Sequence, residues 1–394
     1  MSSNIVLNTR HHKCNSDYFD LISKASLTVA LENLQQIPDY RTSSLIDCES
    51  LARAFDLKTV SCKYEGDRFG GGSFKPLGVA NAAMEITKRV IEKASSLRVT
   101  SSDLFKDSHN SYVAHLTFTC ATTGNHGYAL AWIAGKLGAQ SRIYCPADTT
   151  RYRKDRIASL GAEVITVPGG FDDAVEMCSR ESKAMGHIVV SNLIQEGFED
   201  IPQLIMNGYS VLAAEVLSQI KSPITHIFVG GGGGRLAASI TAFFKIRQWQ
   251  NFPKVIVVEP EHSDCISNSI KQGELMHASV KGRTIMTGLV VAKPSSVSWP
   301  VLKDYVFASL VIPDEAAVKT LIELDKGALG HELLPIGETG VAALAGFLEV
   351  MREESSRRIL GIDSSSHVLI VACEGVTDPN LLDSIVSNAT GEFL

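Results

Sequence analysis

The run Val229-Gly230-Gly231-Gly232-Gly233-Gly234-Arg235-Leu236 decides the fold class. It ends an apolar stretch, residues 224–229, and opens a helix-length segment, residues 235–245. A bare tight turn hardly needs five consecutive glycines. Backbone amides at a strand-to-helix junction, joined by the positive end of the helix, make a cradle for phosphate. The run is not the dinucleotide fingerprint GxGxxG, because the last glycine of that pattern, counted from Gly230, falls on Arg235. It also lacks the Lys-Ser/Thr of a P-loop.

The same rhythm extends outward in both directions. Strands are expected over residues 59–63, 113–120, 141–145, 163–167, 188–192, 224–229, 255–259 and 368–373. Helices are expected over residues 76–94, 125–137, 151–160, 172–185, 201–220, 235–245, 315–325 and 339–351. Several of these strands are apolar without alternation, which fits burial on both faces. Alternating strands and helices predict an α/β protein with open parallel sheets. Residues 277–300 have little periodicity and read as a long loop over the site.

Length and composition agree with this reading. The chain has 394 residues, 45% of them hydrophobic and 20% charged, enough for two domains with large cores. A net charge of −6 gives no global attraction to nucleic acid or anionic membranes. No run approaches the ~20 apolar residues of a membrane span, and the first residues have no signal-peptide stretch. The expectation is a soluble, cytoplasmic protein. Eight cysteines are scattered without a CxxC pair, so neither a zinc ribbon nor a redox pair is signalled, and no metal is expected.

Three other segments carry chemistry. In Arg68-Phe69-Gly70-Gly71-Gly72-Ser73-Phe74-Lys75-Pro76 a lysine stands where a helix begins, with proline suited to the first helical position. The positive helix end disfavours an ammonium there, which suits a Schiff-base amine. Taken alone, the segment also fits a turn followed by a surface lysine. Ala121-Thr122-Thr123-Gly124-Asn125-His126-Gly127 lies between a strand and a helix, and fits either a carboxylate site or an ordinary N-cap. Val368–Gly375 is a buried strand ending in Cys373-Glu374-Gly375, and Ile336-Gly337-Glu338-Thr339-Gly340 fits a helix start.

In this order and spacing the segments resemble the pyridoxal-phosphate enzymes of fold type II, the tryptophan-synthase β-subunit-like group. Within it they are most similar to the diaminopropionate ammonia-lyases. The likeness runs from about residue 41 to residue 380 and includes GFEDIPQLIMNGYSVLAAE, residues 197–215. It implies two open parallel-sheet domains with helices on both faces and the cofactor, pyridoxal 5'-phosphate, between them. Residues 1–80 and 190–394 would form the large cofactor-binding domain, and 81–189 the small substrate-closing domain. Lys75 would bond the cofactor and act as the catalytic base. Gly230, Gly231, Gly232, Gly233 and Gly234 would hold the phosphate, Asn125 the phenolic oxygen, and Cys373 would face the pyridine nitrogen. Thr122, Thr123, Gly124 and Asn192 would meet the substrate.

The resemblance also implies a reaction: loss of a β-substituent from an amino acid such as 2,3-diaminopropionate, giving a 2-oxo acid and ammonia. The lyases carry two aspartates, one in an ATDGNHG-like loop and one before an EG pair. Here Thr123 and Asn192 occupy those positions, and neither can act as a carboxylate base. That predicts action on a single enantiomer, the L form, with Lys75 as the only base. Serine/threonine dehydratase-like elimination and β-replacement stay open, as does a non-catalytic cofactor-binding protein. The acid that protonates the leaving group is not assigned; Tyr128, His126 and Glu196 are the candidates. A homodimer is expected.

Overall fold

The computed structural model describes residues 4–11, 23–106, 110–191, 199–247, 252–279 and 282–392. The strands run β1 Ile5–Leu7, β2 Ser44–Asp47, β3 Thr59–Tyr64, β4 Thr117–Ala121, β5 Gln140–Pro146 and β6 Glu163–Val167. They continue β7 Ile188–Val189, β8 His226–Gly230, β9 Lys254–Pro260, β10 Ala308–Ile312 and β11 His367–Ala372. By Cα proximity the chain gathers into two compact units. The first comprises residues 1–23, 42–67 and 212–394, the second residues 24–41 and 68–211.

In the first unit, seven strands lie in the order β1-β10-β9-β8-β11-β3-β2. The five inner strands are parallel, and β1 and β2 close the two edges antiparallel. Several inner strands are continuous apolar runs of the sequence: in β9, Val255, Ile256, Val257 and Val258 are all fully buried. The helix Ala342–Arg352 lays Phe347 and Leu348 into the same core. At roughly 25 cal/mol per Å² of apolar surface, burial of this kind supplies most of the driving force for the unit.

In the second unit, four parallel strands lie in the order β6-β5-β4-β7. The helix Asn125–Leu137 follows β4 and ends in left-handed Gly138, a common helix stop. The helices Lys75–Ser95 and Ile201–Gln219 cross at glycines. A Cβ on Gly208 would run into the Leu77 carbonyl oxygen, and one on Gly78 would lie 2.7 Å from the Ile205 carbonyl oxygen. The polar chain Asn33–Asn81–Leu204 carbonyl, with bonds of 2.8 and 2.7 Å, ties the same crossing.

Several expectations shift. The strand expected over residues 113–120 begins only at Thr117, because Asn110–Val113 closes a helical turn instead. The strand over 188–192 is shorter, Ile188–Val189, and Asn192 lies outside the described residues. The helix expected over 339–351 begins at Ala342, since Gly337 and Gly340 lie against the backbone of Glu374 and Gly375. Along the chain the compact units change over at residues 23/24, 41/42, 67/68 and 211/212. Among the described residues, no helix is long and apolar enough to cross a membrane.

Candidate functional site

The glycine run leaves the carboxyl end of β8, and its backbone is fixed from below. Gly231 N–H donates to the Val258 carbonyl at 2.8 Å. A Cβ on Gly231 would come within 2.7 Å of Glu259 Cγ. Gly232 and Gly234 adopt φ of +53° and +79°, a region that favours glycine. The Gly233 carbonyl accepts bonds from Ser295 N–H at 3.1 Å and Ser298 Oγ at 2.9 Å. Gly288 and Leu289 wall the loop near Gly232. Four residues of the stretch read as a loop over the site, Gly288, Leu289, Ser295 and Ser298, thus lie against this glycine loop, and the two serines hold it. The amides of Gly232 and Gly233 bond to no described residue. With the start of the helix Arg235–Ile246 behind them, they form a cradle of donors that suits a phosphate.

Glu259 buttresses the cradle, and sequence reasoning missed it. It is fully buried at the end of β9. Its carboxylate accepts from Ile266 N–H and Ser267 N–H, both at 2.8 Å, and from Ser267 Oγ at 2.7 Å. Burial pushes its pKa up to about 7, against the pull of those three donors. The only signal in the sequence is an acid at the end of an apolar strand, which does not specify a role.

Cys373 follows β11, which pairs with β8 so that Val371 stands opposite Val229. Cys373 and the glycine cradle therefore leave adjacent parallel strands at the same edge, the usual place for ligands in open α/β sheets. Cys373 is 4% exposed. Around it the two C-terminal motifs interlock: Thr339 N–H donates to Glu374 Oε1 at 3.1 Å, and Ile336 bridges to Gly375. Thr339 Oγ1 in turn accepts from Gly288 N–H at 2.9 Å.

In the second unit, Lys75 is the first residue of its helix, with Pro76 next. It is half-buried, and its Nζ stands 4.6 Å from the Phe74 ring centroid, so it is not a freely solvated surface lysine. The buried Ser73 hydroxyl two residues earlier has no hydrogen-bond partner among the described residues. The glycine turn before Lys75 adjoins the helix Asn125–Leu137, which the loop after β4 opens: Tyr128 Oη donates to the Gly70 carbonyl at 3.3 Å, and the Phe69 and Trp132 ring centroids lie 4.6 Å apart.

That loop is tightly built. Thr122 Oγ1 accepts from Gly124 N–H at 3.0 Å and Gly127 N–H at 3.1 Å. The helix is thus capped by Thr122, not by Asn125, which stands half-buried at its first position. Gly124 has φ +149° and ψ −87°, with the Arg153 stem 3.2 Å from its Cβ position. Thr123 is exposed, and its carbonyl accepts from Arg153 Nη1 at 3.4 Å. His126 bonds the Val190 carbonyl through Nε2 at 2.8 Å, a structural tie. Glu196 lies outside the described residues.

Residues 37–373 match the family model described as pyridoxal-phosphate dependent enzyme. The chain belongs to the pyridoxal-phosphate-dependent enzyme family. It is 30% identical over 371 residues to diaminopropionate ammonia-lyase of Escherichia coli K12, covering 92% of each chain. Its fold superposes with a TM-score of 0.85 on the crystal structure of the Escherichia coli lyase in complex with an aminoacrylate-PLP azomethine reaction intermediate. That match covers 98% of this chain and 97% of that one, at 28% identity. Threonine deaminase isoform 2 of Solanum lycopersicum shares the fold, with a TM-score of 0.75 at 18% identity.

The residues present fit the family's cofactor. The cradle at 230–234 offers unpaired amides to a phosphate. Lys75 offers a primary amine at a helix head. Cys373 places a small, buried side chain at the sheet edge beside the cradle.

Proposed function

We propose that this protein catalyses pyridoxal-phosphate-dependent β-elimination on a β-substituted amino acid such as 2,3-diaminopropionate, releasing a 2-oxo acid and ammonia. The observation that carries the reading is one chain holding a helix-head lysine and an amide cradle at a sheet edge. Likeness over nine-tenths of the length to enzymes named diaminopropionate ammonia-lyase supports it. Pyridoxal phosphate, when bound, supplies the electron sink that lets an amino acid lose its α-proton and then its β-substituent.

The chain's own residues do the rest. Lys75 would hold the cofactor through Nζ, and its amine would take the α-proton. Gly230 to Gly234 hold the phosphate. Asn125 meets the phenolic oxygen. Cys373 would face the ring nitrogen with a thiol in place of a carboxylate. Thr123, Gly124 and Asn192 meet the substrate. Thr122 Oγ1 supports them by holding the loop amides in place. The segment 81–189 acts as the substrate-closing domain, excluding water before elimination. The enzyme works in the cytoplasm as a homodimer.

Thr123 and Asn192 carry the stereochemical part of the proposal. With no carboxylate at either position, Lys75 is the sole base, and only L-amino acids are turned over. The same two residues favour a second reading, dehydration of a β-hydroxy amino acid.

The test offers purified holoprotein the L and D forms of 2,3-diaminopropionate, serine and threonine, with O-acetylserine and β-hydroxyaspartate beside them. Release of 2-oxo acid from L-diaminopropionate supports the lyase. Release from L-serine or L-threonine alone moves the assignment to the dehydratase. A spectral change without 2-oxo acid from any of them overturns elimination.

A further inference from the structure

Ser298 uses its hydroxyl in an unusual way. It stands at the N-cap of the helix Trp299–Tyr305, where a serine ordinarily accepts from the first amides of its own helix. Here it makes no capping bond. It is fully buried, and its Oγ lies 2.9 Å from the Gly233 carbonyl oxygen and 3.0 Å from that of Ser295, so its single proton is shared between them. The Gly233 carbonyl also accepts from Ser295 N–H at 3.1 Å, and the next amide, Gly234 N–H, donates to the Gly231 carbonyl at 3.0 Å. The planar peptide unit between Gly233 and Gly234 is thus held at both poles. The Gly232 carbonyl faces Cys265 Sγ at 3.8 Å. The carbonyls of Gly231, Gly232 and Gly233 are therefore all engaged by the protein itself.

We propose that Ser298 is a positioning residue for the cofactor's phosphate: by gripping the Gly233 carbonyl it keeps the loop's carbonyl oxygens away from the phosphate and sets the cradle before the cofactor arrives. Consecutive glycines have more backbone freedom than any other sequence of the same length. A loose loop would have to be ordered as the phosphate binds, and that ordering weakens affinity. A carbonyl swung toward the phosphate would also set partial negative charge against an anion. The bonds from Ser295 and Ser298 remove both penalties in advance. The proposal rests on the phosphate lying at residues 230–234.

The test strips the cofactor from the wild-type protein, S298A and S298T, and titrates each apoprotein with pyridoxal phosphate and, separately, with pyridoxal. Bound cofactor is read from its absorbance. Hydrogen–deuterium exchange follows the peptide that holds residues 230–234 in each apoprotein. Loss of one neutral hydrogen bond predicts about 3–10-fold weaker binding of pyridoxal phosphate to S298A, with pyridoxal changed by less than about twofold. S298T keeps the hydroxyl and stays closer to the wild type than to S298A. Exchange in the glycine loop is about 3–10-fold faster in S298A apoprotein than in the wild type. Equal binding of pyridoxal phosphate to wild type and S298A overturns the proposal, as does loop exchange no faster in S298A. An equal loss of pyridoxal phosphate and pyridoxal in S298A also overturns it, because that pattern marks a structural role. A wild-type protein that takes up pyridoxal but gains nothing from the phosphate overturns the placement at 230–234, and the proposal with it.

Discussion

Thr123 carries no carboxylate, and it lies exposed on the loop after β4 with its carbonyl held by Arg153. Its side chain is therefore free to be exchanged without disturbing the core. T123D restores an ionisable base at that position. If base placement sets the stereochemistry, T123D raises the ratio of D- to L-diaminopropionate turnover by about tenfold or more, a small share of what a positioned base supplies. Comparing the initial rates of pyruvate release from the two enantiomers checks this. An unchanged ratio means that a carboxylate there does not reach the α-proton. The residue types at this site were legible in the sequence, but not their division of labour. Thr122 and Thr123 are neighbours of the same type, yet one is a buried cap and the other an exposed side chain. Only the path of the loop separates them.

At the scale of elements, the helix Asn125–Leu137 was readable to both ends, because a turn residue stands at each boundary. Of the inner parallel strands, β8, β9 and β11 were readable from their apolar runs. β1, β2 and β10 were not. β1 and β2 are short edge strands whose pairing comes from distant parts of the chain, as Ile5 opposite Leu310 shows. β10 contains Ser309, a polar residue fully buried inside an apolar run. The crossing of Lys75–Ser95 with Ile201–Gln219 was hidden too, since nothing local shows that Gly78 and Gly208 meet another helix backbone. G208A tests the crossing. A methyl group against the Leu77 carbonyl forces the helices apart and costs about 1–3 kcal/mol. A lower urea midpoint for the apoprotein is the expected result. An unchanged midpoint means that the crossing has slack.

For the whole molecule, pH acts through His226 at the start of β8. It is 3% exposed, and burial lowers its pKa from 6.5 to about 4. Its ring nitrogens bond Thr225 Oγ1 at 2.8 Å and the Leu360 carbonyl at 3.2 Å. The unfolded chain binds this proton more readily than the folded one. The contribution is therefore fully present above pH 6.5 and is lost as pH falls toward about 4, by roughly 3 kcal/mol at most. Thermal midpoints measured between pH 7 and 5 should fall further for the wild type than for H226Q. Parallel pH curves for the two proteins would remove His226 from the account.

The central claim is that Lys75 drives β-elimination in this chain. The most direct measurement adds L-2,3-diaminopropionate to wild-type and K75A holoprotein and quantifies pyruvate and ammonia together. Elimination of the β-amine followed by hydrolysis requires one pyruvate and two ammonia for each substrate consumed. The account predicts that ratio from the wild-type protein and a loss of at least about a thousandfold in K75A. Pyruvate release from K75A at a rate near the wild type's would contradict it, as would consumption of substrate without pyruvate.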